Sequence, residues 1–177
     1  MKRTAAMAAL GLMLPLVACG PGRGGAGPSI DGDLYIAVLA KVGRPPGGAP
    51  VTGSVETKQV SWENPELDLP RILSKYKMAP PYPSATRIDS GASSKLQAQG
   101  YKILTDAEVE DLTQKIFKGT AKGEIWKFSS PIVAPDGKAA VMVEFYCGGL
   151  CGGGSIFILE KKSGAWKVID TIDLWMS

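Results

Sequence analysis

Lys138-Ala139-Ala140-Val141-Met142-Val143-Glu144-Phe145-Tyr146-Cys147 is followed by Gly148-Gly149-Leu150-Cys151-Gly152-Gly153-Gly154 and then by Ser155-Ile156-Phe157-Ile158-Leu159-Glu160-Lys161, and this stretch decides the fold. Its first segment alternates, with Ala139, Val141, Val143 and Phe145 on one face, as a strand packed on a core requires. Asp136-Gly137 ahead of it is a turn, joining it to a short strand over Ser130 to Ala134. Beyond the glycine loop, Ser155 to Lys161 is a second long strand, Ser163-Gly164 a second turn, and Trp166 to Leu174 a last strand. Consecutive strands joined this tightly form an antiparallel meander.

Upstream the pattern turns helical. Thr105-Asp106-Ala107-Glu108 is a capping box, and Val109, Leu112, Ile116 and Phe117 recur behind it at helical spacing. The crowd of acids at Asp106, Glu108, Glu110 and Asp111 matches the positive end of that helix's dipole, and paired carboxylates for glycoside hydrolysis are the rival reading of the same cluster. Leu69-Pro70-Arg71-Ile72-Leu73-Ser74-Lys75-Tyr76 is a second helix with Pro70 in its first turn. Leu34 to Val42, apolar on all sides and stopped by Gly43, reads as a short buried helix capped by Asp33, with a buried strand as the alternative. Val55 to Trp62 alternates as a strand, and Met78 to Gly100, with three prolines and little pattern, reads as a long surface loop. The sum is an α+β domain in which two or three helices pack on an antiparallel sheet with a C-terminal meander.

The N-terminus carries an address. Lys2 and Arg3 precede an apolar stretch of about 13 residues, Ala5 to Val17, which is too short to span a bilayer as a helix. It ends in Leu16-Val17-Ala18-Cys19, which resembles the lipobox of bacterial lipoproteins. That resemblance implies cleavage before Cys19, a diacylglyceryl group on its thiol and a further acyl chain on the freed amino group. Several chains together anchor a protein stably where one would not. The organisation expected is therefore a signal peptide over residues 1–18, a lipidated Cys19 with a Gly/Pro-rich tether through residue 30, and one domain over residues 31–177. Gly20, where the pattern retained at the inner membrane resembles an Asp, implies the outer membrane, facing the periplasm.

Charge and composition narrow the function classes. Of the 20 basic residues two, Lys2 and Arg3, leave with the signal peptide, so 18 face 17 acidic ones and nothing points to nucleic acid. The chain has no histidine, which removes Ser-His-Asp and Cys-His catalysis and the common His-ligated zinc sites. No cofactor or metal is called for. With Cys19 acylated, Cys147 and Cys151 are the two remaining cysteines, exported to an oxidising compartment, and a structural disulfide is the plain reading. Thiol redox chemistry and metal binding are the alternatives, though Cys-x3-Cys is not the oxidoreductase spacing and a metal would need carboxylates to complete it. Trp126, Phe128, Trp166 and Trp175 are either core bulk or a sugar platform.

Asp136-Gly137-Lys138-Ala139-Ala140, Cys147-Gly148-Gly149-Leu150-Cys151-Gly152, Leu159-Glu160-Lys161-Lys162-Ser163-Gly164-Ala165-Trp166-Lys167-Val168 and Leu174-Trp175, in that order, resemble the C-terminal part of a family of bacterial secreted proteins and lipoproteins of uncharacterised activity. The resemblance implies no substrate and no catalytic residues. The expected function is thus a membrane-anchored envelope lipoprotein with a non-enzymatic domain that binds a protein, glycan or other ligand. A periplasmic hydrolase using carboxylates or Ser is the alternative, and a thiol redox protein comes third.

Overall fold

The structure, a computed structural model, describes residues 30–42 and 53–177. The expected signal peptide, Cys19 and the expected tether lie outside the described residues, except Ile30, which begins α1. Four helices and seven strands follow in the order α1 (Ile30–Val42), β1 (Ser54–Glu56), α2 (Leu69–Ser74), α3 (Ser90–Ala98), β2 (Lys102–Leu104), α4 (Asp106–Phe117), β3 (Ile125–Phe128), β4 (Ile132–Val133), β5 (Lys138–Gly148), β6 (Cys151–Lys162) and β7 (Ala165–Met176). The strands form one sheet in the order β2-β1-β3-β5-β6-β7, with β4 paired to β5. This is the α+β class with its C-terminal meander. Pairing is antiparallel from β3 to β7, while β1 runs parallel to both β2 and β3, so the sheet as a whole is mixed.

Both faces of the sheet are covered, which is why the inner strands are apolar on both sides. Ala139, Val141 and Val143 of β5 pack with Phe157 and Leu159 of β6 against Leu34, Tyr35, Val38 and Leu39 of α1 and Ala92 and Leu96 of α3. Ala140 and Met142, with Ile156 and Ile158, face the other way onto Leu69 and Leu73 of α2 and onto Trp62. A third, smaller cluster, Leu104, Ile116 and Ile125, fastens α4 to the β2-β1-β3 end of that second face. Strand alternation thus sorts consecutive residues of one chain into two cores.

Local signals explain where the helices begin. Thr105 Oγ1 accepts from the Glu108 amide at 3.4 Å and the Glu108 carboxylate accepts from the Thr105 amide at 3.0 Å, closing the capping box of α4. Asp68 accepts from the Arg71 amide at 3.2 Å and starts α2, with Pro70 in the first turn. Asp33 does not cap α1: the helix already includes Ile30, and exposed Asp33 sits within it, 2.8 Å from the Lys95 ammonium. Phe117 is 72% exposed and lies outside the apolar face that Val109, Leu112 and Ile116 form on α4.

The segment 78–100, expected as a loop, contains α3. Asp89 caps it by accepting from the Ala92 amide at 2.9 Å, and Ala92 and Leu96 are fully buried against α1. The two helices meet closely because α1 presents Gly32 there; a Cβ on Gly32 would stand 3.0 Å from the Ala92 Cα. Val55 to Trp62 is strand only as far as Glu56. Isolated bridges at Lys58 and Val60 continue it, and the fully buried Trp62 indole donates to the Ser130 carbonyl at 2.7 Å.

Candidate functional site

The glycine segment after Cys147 is not the open loop that its composition suggests. β5 runs through Gly148, β6 starts at Cys151, and only Gly149 and Leu150 lie between them. Cys147 and Cys151 are joined by a disulfide with their Cα atoms 5.2 Å apart, closing the tip of the hairpin. Gly148, Gly153 and Gly154 each clear room for a neighbour, while Gly149 at the tip faces open space. A Cβ on Gly148 would stand 2.5 Å from Cγ2 of Ile116, so the last turn of α4 rests directly on the hairpin. A Cβ on Gly154 would overlap the Trp175 indole, and one on Gly153, on the opposite face, would stand 2.7 Å from the Phe145 ring. The end of α4 resting against the hairpin is the negative end of a helix dipole, which disfavours a thiolate and fits a structural disulfide.

Pairing between strands then assembles charges that are far apart in sequence. Glu56 pairs with Leu104 across β1 and β2, Lys127 with Glu144 across β3 and β5, and Glu144 with Gly154, which in turn pairs with Trp175. The parallel register that sets Val55 beside Trp126 brings Glu56 beside Lys127 one residue on. One row across the sheet therefore reads Glu56, Lys127, Glu144, Gly154, Trp175. The Lys127 ammonium lies 3.2 Å from Glu56, whose carboxylate is buried, with 7% of its side chain exposed. Glu144 has neither a hydrogen bond nor an ion pair among the described residues. Burial pushes its carboxyl above the ordinary glutamate value, and the Glu56 charge adds to that while Lys127 works against it.

These side chains line a cavity of about 220 Å³ between the sheet and α4. The helix contributes Val109 and Thr113, neither charged, and Tyr146 and Trp175 complete the wall. Trp175 is 45% exposed, so its indole is presented to whatever enters. A second cavity, of about 300 Å³, lies on the other face against Val42, Trp126 and Phe157. There the indole nitrogen of Trp126 is buried without a partner, and its edge lies against Gly53, where a Cβ would be 2.8 Å away, so it faces backbone.

The residues that the sequence singles out are not brought together here. Asp106 takes a bidentate grip from Arg87 at 2.7 and 2.9 Å, Glu108 is held by Thr105 and Lys102, and Asp111 pairs with Lys115 at 2.6 Å. The acidic cluster is thus a capped, ion-paired helix start. Trp126 and Phe128 belong to the core, Trp166 is half-buried at its margin, and only Trp175 reaches the cavity. Glu56, Lys127 and Glu144 were missed, because Glu56 and Glu144 are lone charges in alternating strands that read as pointing to water, and the segment that carries Lys127 was not read as a strand. A buried polar cluster elsewhere is internally satisfied: Gln59 donates to the Tyr35 hydroxyl at 2.8 Å and accepts from Thr86 and Ser130, and Tyr35 donates to the Ser129 carbonyl at 3.0 Å.

Among the described residues no group of three or more His, Cys, Asp or Glu side chains could hold a metal ion, and no helix is long and apolar enough to cross a membrane. Compared with known proteins, the chain matches no family model, no curated protein and no solved structure.

Proposed function

We propose that this chain is a bacterial envelope lipoprotein, held to the outer membrane by acyl chains on Cys19 and facing the periplasm, whose domain binds a ligand without transforming it. The leader, the Leu-Val-Ala-Cys site and the following glycine support the address. The cavity beneath α4 carries the reading of the domain, with an ion pair on its floor, a carboxyl left unpaired and an exposed indole at its rim. Small convergent polar groups in an otherwise apolar recess are what ligand sites use to fix orientation.

Turnover by paired carboxylates needs the gap between them, roughly 5 to 10 Å, free for the substrate and its water. Lys127 stands between Glu56 and Glu144 on the middle strand and is bound to the first. A hydroxyl nucleophile would need a base: Ser155, half-buried in the wall of the second cavity and not of the one beneath α4, donates to exposed Asp173 at 2.9 Å, with no histidine in the chain to relay the proton. Binding is therefore favoured over hydrolysis.

Photo-crosslinking in intact cells tests the proposal. A photoreactive residue at Thr113, in the cavity wall, should give a discrete adduct, and the same residue at exposed Lys118 should not. No adduct at Thr113, or the same adducts from both positions, would contradict it.

A further inference from the structure

We infer that the cavity beneath α4 receives a primary alkylammonium group, carried by a small amine or by a lysine-like side chain, which pairs with the Glu144 carboxylate between Lys127 and Trp175. The inference rests on the binding reading above and adds the chemistry of the ligand. Charge is the first argument. The titratable side chains in the wall are Glu56, Glu144, Lys127 and Tyr146, and the helix that roofs the cavity adds no charge. Lys127 is committed to Glu56 at 3.2 Å, so one carboxylate is left over. An anionic ligand would meet that surplus as repulsion, and a neutral one would leave it uncompensated in a partly dry site. A cation restores what desolvation removes and forms a charge-assisted hydrogen bond.

Shape and surface agree with charge. On the far side of Glu144 from Lys127 the row continues with Gly154, whose missing side chain lets the Trp175 indole lie over it, so a cation on that side of Glu144 is farther from the lysine and beside the indole. Indole and phenol faces attract ammonium groups within about 6 Å of the ring. At about 220 Å³ the recess is smaller than the roughly 300 to 1,000 Å³ of drug-sized sites, which suits one short alkyl chain with a charged end. Val109 and Ile125 supply the apolar wall along which such a chain would lie.

The mature lipidated chain in non-ionic detergent is titrated with butylammonium and with Nα-acetyl-lysine amide, against the uncharged butan-1-ol and Nα-acetyl-norleucine amide and the anion butyrate. Calorimetry reads affinity, and the indole proton resonance of Trp175, assigned through Trp175→Phe, reads location. Both amines should bind and shift Trp175; binding of the lysine derivative alone would support the same chemistry with a peptide as its source. Glu144→Gln, which keeps the side chain's shape, should weaken amine binding by about tenfold or more, the order of a lost charge-assisted contact. Trp175→Leu should weaken it severalfold while leaving the chain folded. If the uncharged or anionic probes bind as well as the amines, or if Glu144→Gln binds amines undiminished, the inference is overturned and the binding reading stands. If no probe of any charge moves the Trp175 resonance, both fall.

Discussion

Gly148→Ala compared with Gly149→Ala shows what the glycines of the hairpin are for. Both have positive φ, but Gly149, at +55°, sits in the left-handed region with nothing within 4 Å of an added Cβ. Alanine there should cost only the backbone penalty, about 1–2 kcal/mol. Gly148, at +103°, lies outside that region, and its Cβ would stand 2.5 Å from Ile116 Cγ2. Ile116 is 7% exposed and packed with Leu104 and Ile125, so it cannot swing away without opening the cluster that holds α4. Overpacking of that kind adds about 1–3 kcal/mol, so Gly148→Ala should cost about 3 kcal/mol in all. At roughly 2–4 °C per kcal/mol for a chain of this size, the melting temperature should fall by about 6–12 °C for Gly148→Ala and about 2–8 °C for Gly149→Ala. Thermal unfolding followed by far-UV circular dichroism, with urea midpoints as a check, measures both. Equal losses would refute the idea that Gly148 exists to admit α4 and would return it to a mere turn residue.

Replacing both Cys147 and Cys151 with Ser should lower stability by about 1–3 kcal/mol and leave the domain folded, since the disulfide closes only a short loop; alkylation of the unreduced wild type should find neither thiol free. Glu108, held by the Thr105 amide first and then by Lys102, has its carboxyl lowered to about 2, so its stabilising effect should be complete above the ordinary value of 4.5 and be lost as pH falls through about 2. Glu108→Gln should therefore destabilise the chain at pH 7, and a carboxyl NMR titration of the wild type should place the midpoint near 2 and not near 4.5. Glu144 has the opposite sign: a carboxyl raised by burial favours the folded state only while protonated, and that advantage is lost as pH rises through its folded value. Glu144→Gln should accordingly melt above the wild type at pH 7, with the gap closing as the pH is taken into the acid range.

The meander was legible because β5 to β7 alternate and their turns are written as Asp136-Gly137 and Ser163-Gly164. The capping box placed α4 for the same reason: both partners of the motif lie within four residues. α3 escaped notice because only Ala92 and Leu96 mark its buried side, and its burial depends on Gly32, some sixty residues away, letting α1 come close. Gly152 to Gly154 read as loop on propensity, yet they are strand because Phe145 and Trp175 supply the side chains that cover them. The cavity was illegible for a related reason. Alternation within β1 and β5 turns Glu56 and Glu144 away from the α1 core, whereas β3, which carries Lys127, was not expected as a strand, and the face the three share counts as solvent until α4 is known to lie across it. Their meeting depends on the parallel pairing of β1 with β3, a contact between residues about seventy apart that no local pattern encodes.

One mass measurement tests the proposed anchor directly. Trypsin acting on the chain purified from outer-membrane fractions should release its N-terminal peptide as Cys19-Gly20-Pro21-Gly22-Arg23. Its mass should include a diacylglyceryl group on the sulfur and an acyl chain on the amino nitrogen, with both missing from Cys19→Ser. A peptide from the wild type with an unmodified Cys19 thiol, or one that still joins Ala18 to Cys19, would contradict it.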